Sequence, residues 1–439
     1  MKIAVVGSGI TGLSAAKILE NRGHEVFVYE ATSRLGGRLF TEDFAGDPLE
    51  WGPNTLLSSH ESFDELITLA GVSEKQRVAD SRARFRYVWK NGKAIPLPTG
   101  PLKALFSPLL GVGACVRALC EPFVPQGDPY QDVSSFFSHR FGKTIADNLV
   151  DPFVSGIYSG DSQLLSARHA FPKIVGMVDD HGSVLRAGIK LLKNKKKKKK
   201  TQLVNFDGGM STLVDGLASR LKNSPQFHKK LVSYDQTDQS ITLTFEEGEK
   251  STFDKVVLAL TAGKLSRIVK KESRSLSSAL QQIPCPGIAV VHVRGAKLTT
   301  PVPTNGFGVL FGRQHPMEEA LGILFISDIF PRKDRQKHFC VFLGGRRFPN
   351  VNHMSKSQIE DKAINILRNS IKMQGDAEDV RSQLLSPGLP QYEKNMYTID
   401  MLKSRFHKNN RNIALVGTWS GGISVLDGFK NVNETLKDW

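Results

Sequence analysis

The chain has 439 residues, enough for about three domains with sizeable cores. Its apolar content of 40% excludes a disordered or fibrous chain. The net charge of +16 favours an acidic small molecule or an anionic membrane surface as partner; no recognition motif accompanies it, so nucleic acid is not expected. Seven lysines between Lys193 and Lys200 supply part of that charge, leaving +9 without them, and the run reads first as a solvated loop, with an anion-binding arm as the alternative. Cys115, Cys120, Cys285 and Cys340 lack paired short spacing, which argues against a zinc ribbon or a disulfide framework and for reduced thiols in the cytoplasm. The first apolar run, Ile3 to Val6, is too short for a signal peptide, and none is expected.

The opening "MKIAVVGSGITGLSAAKILENRGHEVFVYE" reads as strand, turn, helix, strand. Ile3 to Val6 suits a buried parallel strand, and a helix follows from about Thr11 to Arg22, stopped by Gly23. The second strand, Glu25 to Tyr29, ends at Glu30. Gly7, Gly9 and Gly12 have G-x-G-x-x-G spacing. In turn, these glycines permit a tight turn, let a pyrophosphate approach the backbone and let helix pack closely on strand. The positive end of the helix then faces phosphate. Glu30, 18 residues past Gly12, is placed to accept ribose hydroxyls.

Next comes "EATSRLGGR", residues 30 to 38. Gly36 and Gly37 clear side chains from a dinucleotide lying along the chain, and Arg34 and Arg38 can neutralise phosphate or bond a flavin edge. A nicotinamide enzyme does not need this second loop. The stretch resembles the signature of the flavin amine oxidase and desaturase superfamily, which binds FAD. "EWGPNT", Glu50 to Thr55, is similar to that group's second glycine turn near the flavin.

"SRARFRYVWKNGKAIPLP", Ser81 to Pro98, reads as a hairpin turning at Asn91-Gly92. Period two puts Arg82, Arg84 and Arg86 on one face and Phe85, Tyr87 and Trp89 on the other. Such a strand suits a flat carboxylated ligand, or an edge strand with solvated arginines. Residues 101 to 120 are strongly apolar, but Pro108 interrupts them and they are too short to span a bilayer. They are expected to be mostly buried in a helical subdomain, with membrane contact as the lesser option. "FDGGMSTLVDGLASRL" places Met210, Leu213, Val214, Leu217 and Leu221 on one helix face. Alternating β segments and "DKVVLALTA", Asp254 to Ala262, then look like a return to the first sheet. Near the C-terminus, strand Ile413 to Val416 leads through Gly417, Gly421 and Gly422 into a helix from about Ile423. That helix end can stabilise negative charge on a reduced flavin.

The fold expected is α/β: a discontinuous Rossmann-like FAD-binding domain (1–60, 201–265 and 405–439), with an inserted mixed α+β substrate domain (80–98 and 266–404) and a helical subdomain (99–200) for which membrane association is an option. "DPFVSGIYSGDSQLLSARHAFPKI", Asp151 to Ile174, resembles the signature stretch of the oxygen-dependent protoporphyrinogen and coproporphyrinogen oxidases. "WGPNT", "FDGGMSTL", "FGVLFG", "LGILFISDIFP" and "GLPQYEK" fall in that family's order, so the resemblance covers nearly the whole chain.

The resemblance implies FAD held by Gly7, Ser8, Gly9, Ile10, Thr11, Gly12, Glu30, Arg34, Gly36, Gly37 and Arg38. Gly52, Pro53, Asn54 and Thr55 would line the flavin, Leu231 would meet the adenine, and Thr418, Ile423, Ser424 and Val425 the isoalloxazine. It puts the propionate-binding arginine at Arg84, a pyrrole contact at Gly156 and an apolar wall at Leu310. Two positions depart from the pattern: Asn395-Met396 replaces the family's Gly-His, and Asn54 stands where some members have arginine. No catalytic base and no metal site is expected. The activity implied is a six-electron, FAD-dependent oxidation of a porphyrinogen in heme biosynthesis, with oxygen reduced to hydrogen peroxide. Expected partners are the porphyrinogen and oxygen, with peripheral contact on the inner face of the membrane and a homodimer as further options. The rival readings are an amine oxidase, a carotenoid desaturase, or a related escort protein without redox work.

Overall fold

The computed structural model describes residues 1–44, 47–193, 201–295, 297–300, 305–331 and 336–439; the lysine run at 194–200 lies outside them. The chain forms two compact units, Met1–Val78 with Lys199–Ile283 and Asn395–Trp439, and Ala79–Lys198 with Pro284–Lys394. Both are α/β.

The first unit is built on a four-stranded sheet in the order Ile413–Leu415, Lys255–Leu258, Lys2–Val6, Glu25–Tyr29, parallel at every pair. Ile3, Ala4 and Val5 have no exposed surface, which explains why this strand reads as an uninterrupted apolar run. The first and last strands of the chain in this sheet each feed a turn and then a helix, Ile10–Asn21 after Lys2–Val6 and Val425–Thr435 after Ile413–Leu415. One apolar cluster joins Ile3, Val5, Leu13, Leu19, Leu213, Leu217, Phe429 and Val432. The "FDGG" stretch therefore does what its helical period predicts: Ser211–Ser219 is a helix burying Leu213, Val214 and Leu217.

The unit reaches further than the segments 1–60, 201–265 and 405–439. The helix Phe63–Ala70 adds Phe63, Leu66, Ile67 and Ala70 to the same core. The helices Ala262–Ile268, Arg274–Gln281 and Met396–Asn409 pack in succession on one another and so carry 266–283 and 395–404 into this unit.

The second unit is organised by a seven-stranded sheet in the order Asp379–Leu385, Ile288–Gly295, Lys337–Gly344, Ala320–Phe325, Gly308–Leu310, Arg86–Lys90, Lys93–Pro96. Its pairs are antiparallel except Arg86–Lys90 with Gly308–Leu310. The turn at Asn91-Gly92 has φ of 51° and 78°, the left-handed pair that matches the twist of a two-residue hairpin. The helix Lys356–Ser370, started by a Ser355–Gln358 capping box, covers the sheet with Ile359, Ala363, Ile366 and Leu367.

The helical stretch belongs to this same unit. Buried Glu121 is its knot, accepting from Arg140 Nη1 at 3.3 Å and from the amides of Val184 and Leu185 at 3.0 and 3.1 Å.

Two sequence expectations fail here. The residues 101 to 120 are not mostly buried: the helix Gly111–Leu119 buries none of its residues, and Leu102, Phe106, Val112, Val116 and Leu119 are all exposed. Apolar period alone could not tell a covered face from a bare one. Nor do Arg82, Arg84 and Arg86 share a strand face. Ser81–Arg84 is a short 3-10 turn, because Asp80 accepts the Arg82 amide at 2.8 Å and its guanidinium Nε at 2.9 Å; the strand starts at Arg86. Among the described residues no helix is long and apolar enough to cross a membrane.

Candidate functional site

The first unit gathers the three glycine turns and Glu30. Gly9 forms a bridge with Gly36, and the Gly36 amide donates to Ser8 O at 2.9 Å, so the loop after the second strand lies along the first turn. A Cβ at Gly12 would lie 1.9 Å from Gly7 O, so only glycine lets the helix seat against that turn. At Gly9 the opposite holds: a Cβ there would meet no atom within 4 Å, and the backbone faces open space. The helix Ile10–Asn21 starts at Gly9 with no side-chain cap and no acid in its first turn, which leaves its positive end uncompensated. An open glycine backbone at a bare helix end fits a pyrophosphate.

Glu30 stands at the end of the second strand. Ser8 donates to its Oε2 through N–H at 3.0 Å and Oγ at 2.6 Å, and Thr32 to its Oε1 through N–H and Oγ1, both at 2.9 Å. Burial alone would raise its pKa, but the four bonds hold it below the ordinary carboxylate value, so it stays an anion. Two of those donors are hydroxyls, the group a ribose diol presents. The segment ahead of Leu231 runs past this carboxylate: Glu30 N donates to Gln226 O and Lys229 N to Glu30 O, both at 2.8 Å.

Arg34 and Arg38 part company. Arg34 folds onto its own loop, donating to Gly37 O at 2.8 Å with its guanidinium over the Phe40 ring at 4.3 Å. Arg38 reaches the C-terminal loop, where Nη1 donates to Thr418 Oγ1 at 3.2 Å. The turn at Gly52, Pro53, Asn54 and Thr55 is fixed by contacts the sequence did not signal. A Cβ at Gly52 would lie 2.0 Å from Arg38 O. Asn205 Nδ2 donates to Asn54 O and to Glu50 Oε1, both at 3.0 Å; Met210 N adds a bond to Glu50 at 2.8 Å and Thr41 Oγ1 another at 2.8 Å. Burial raises the Glu50 pKa against these bonds. Asn205 and Met210 lie 155 and 160 residues from Glu50, so spacing along the chain carried no trace of these contacts.

The C-terminal loop joins strand Ile413–Leu415 to helix Val425–Thr435. Ile423 precedes the Ser424 cap, whose Oγ accepts the Asp427 amide at 3.0 Å, and Val425 opens the helix. Asp427 in turn lies 3.1 Å from His60 Nε2.

In the second unit the helix Asp151–Tyr158 packs on the strands Gly308–Leu310 and Ala320–Phe325. A Cβ at Gly156 would lie 2.3 Å from Leu310 Cδ2, so these two predicted residues are in contact. Behind them Asp151 accepts Ser162 Oγ at 2.6 Å and Arg313 N at 2.7 Å, and Arg347 donates to Ser155 Oγ at 2.5 Å. Arg84 is not brought against this wall. The register pairs Leu310 with Val88, four residues beyond Arg84, a path of at most about 13 Å. Arg84 is exposed and packs on the Phe85 ring at 4.8 Å. Among the described residues no group of histidine, cysteine and acid side chains could hold a metal.

A parallel sheet with a bare helix end at its first glycine turn, an anionic acid after its second strand and a glycine loop after its last defines a dinucleotide-binding fold. The sequence profile of the flavin-containing amine oxidoreductases matches residues 10–412, and the chain belongs to that family; it is an FAD-dependent oxidoreductase. Its relatives are narrower in kind. Mitochondrial protoporphyrinogen oxidase of Nicotiana tabacum is 29% identical over 467 aligned positions, covering 97% of this chain and 92% of that protein. Coproporphyrinogen III oxidase of Staphylococcus aureus is 29% identical over 243 positions, half of this chain at 50% and 51% of that one. A crystal structure from Exiguobacterium sp. 255-15, named as a candidate protoporphyrinogen oxidase, shares the fold with a TM-score of 0.82 over 99% of this chain and 98% of that one, at 19% identity.

Proposed function

We propose that the protein oxidises a porphyrinogen to its porphyrin in heme biosynthesis, taking protoporphyrinogen IX or coproporphyrinogen III as substrate and oxygen as final acceptor. The observation that carries this reading is the similarity to a protoporphyrinogen oxidase along 97% of the chain. Bound FAD supplies a two-electron acceptor for a hydride from a meso carbon. A six-electron oxidation would take three such transfers, with three molecules of oxygen each reduced by two electrons and two protons to hydrogen peroxide.

The residues of the first unit hold the cofactor in this reading. Glu30 takes the ribose, the Gly7–Gly12 turn and the bare helix end take the pyrophosphate, and Leu231 offers backbone to the adenine. Gly52–Thr55, Arg38, Thr418 and Ile423–Val425 surround the ring. In the second unit, Gly156 and Leu310 give a flat apolar wall for the macrocycle, and Arg84 takes an acid arm. What supports Arg84 over its neighbour is its freedom. Arg82 is already spent on Asp80, whereas Arg84 pairs with no carboxylate among the described residues. A porphyrinogen needs orientation more than a strong base, since its ring nitrogens shed protons to water as conjugation grows.

The bare apolar residues Leu102, Phe106, Val112, Val116 and Leu119 support peripheral contact with a membrane. The test of function is porphyrin fluorescence formed by the yellow holoprotein from each porphyrinogen. With the preferred substrate, Arg84→Ala raises KM about tenfold, the worth of one exposed charge-assisted bond, and leaves kcat within about twofold. An unchanged KM removes Arg84 from the site.

A further inference from the structure

Against the C-terminal loop lies a half-buried cation that neither the family motifs nor the proposed chemistry uses. Trp419 and Ser420 are buried, at 1% and 4% exposure. Behind them stands Lys403, on the helix Met396–Asn409. Its Nζ donates to Ser420 Oγ at 2.6 Å and lies 5.4 Å from the centre of the Trp419 ring. No carboxylate among the described residues is within ion-pair distance of it. Asp400 on its own helix and Glu434 on the C-terminal helix act on it only through space. His407, one turn further along, accepts the Leu415 amide at 3.1 Å; burial and Lys403 hold its pKa down to about 4, so it adds no second cation.

An ammonium served by one hydroxyl and one ring face is poorly compensated. Burial lowers its pKa to about 8, against the pull of the two acids, which still leaves it charged at neutral pH. The helix that begins on the same loop is a weaker source of positive potential than it first reads, because Ser424 caps it and Asp427 puts a carboxylate in its first turn. An anion is due at this loop only when a flavin ring beside it is reduced.

We propose that Lys403 is a positioning residue for the flavin: it fixes the Trp419–Ser420 side of the loop and supplies the positive potential that favours the anionic reduced cofactor. The proposal rests on the placement of the flavin ring beside Thr418 and Ile423–Val425. It needs no porphyrinogen, so its failure and that of the proposed activity are separate results.

The experiment measures the two-electron reduction potential of FAD in the holoprotein, by equilibration with redox dyes and without substrate. In Lys403→Met the reduced cofactor is expected to bind about tenfold less tightly relative to the oxidised one, a drop of about 30 mV. Lys403→Arg restores most of it, which a merely packing role would not do. A Lys403→Met protein that keeps its flavin at an unchanged potential overturns the proposal. If that variant does not retain flavin, the wild type decides alone. Its potential falls more steeply with pH above about pH 8 than below, as reduction draws a proton onto Lys403. A slope unchanged from neutral to alkaline pH overturns the proposal equally.

Discussion

Two helices of the first unit start from a glycine-bearing turn at the end of a parallel strand, and they are finished differently. Ile10–Asn21 has Gly9 as its cap residue, no side-chain cap and no acid in its first turn, and its first residues are buried. Val425–Thr435 has an exposed Ser424 as cap and Asp427 in its first turn, itself held by His60. The first end keeps its full positive potential, as suits a pyrophosphate whose charge is permanent. The second end is partly neutralised by Asp427, and Lys403 donates to Ser420 on the same loop; under the proposal that arrangement suits a ring that is neutral when oxidised and anionic when reduced. With the cofactor placed as proposed, the same strand–turn–helix grammar would serve a fixed charge at one end of it and a variable one at the other.

Three changes sharpen or break that contrast. The largest effect falls at the first end. Gly12→Val would drive a side chain into Gly7 O, 1.9 Å from the first added carbon. The purified variant is expected to be colourless, and flavin absorbance relative to protein reads it directly. A yellow Gly12→Val protein would mean the cofactor lies elsewhere.

The next effect concerns acid. His407, which accepts the Leu415 amide at the end of the last strand, has its pKa lowered to about 4 from 6.5 by burial and by Lys403. A depressed histidine binds its proton in the unfolded chain before the folded one, so stability falls as pH drops from 6.5 towards 4. The loss is on the order of 2–3 kcal/mol, and denaturant midpoints for wild type and His407→Gln across that window test it. If His407→Gln titrates like wild type, the histidine is not buried as described.

The smallest effect is at Asp427. Asp427→Asn removes the acid from the second helix end and should favour the reduced cofactor by up to about fivefold, the worth of one charge at a helix terminus. A change in the opposite direction would show that Asp427 serves its bond to Ser424 more than it offsets the helix end.

Much of the first unit was legible because its signals are local. The apolar run at Ile3–Val6, the G-x-G-x-x-G turn and the acid at Glu30 sit within one strand–helix–strand span, and they folded as read. The Asn91-Gly92 hairpin was equally local. What stayed hidden depended on distant partners. The Glu50–Asn205 contact joins residues 155 apart, and Lys403 reads as an ordinary lysine on an amphipathic helix until Trp419 and Ser420 are placed against it. Arg84 was misread as a strand residue because Asp80, just outside the apparent hairpin, caps a turn there. The apolar helix at Gly111–Leu119 shows the limit of periodicity, which reveals an apolar face but not what covers it.

The central claim is that this flavoprotein withdraws hydride from a porphyrinogen. The most direct measurement mixes the holoprotein anaerobically with a porphyrinogen, and separately with putrescine, while following the yellow absorbance. The account predicts rapid bleaching by the porphyrinogen, none by the amine, and return of colour when oxygen is admitted. Bleaching by putrescine with none by either porphyrinogen would contradict it and assign the chain to amine oxidation instead.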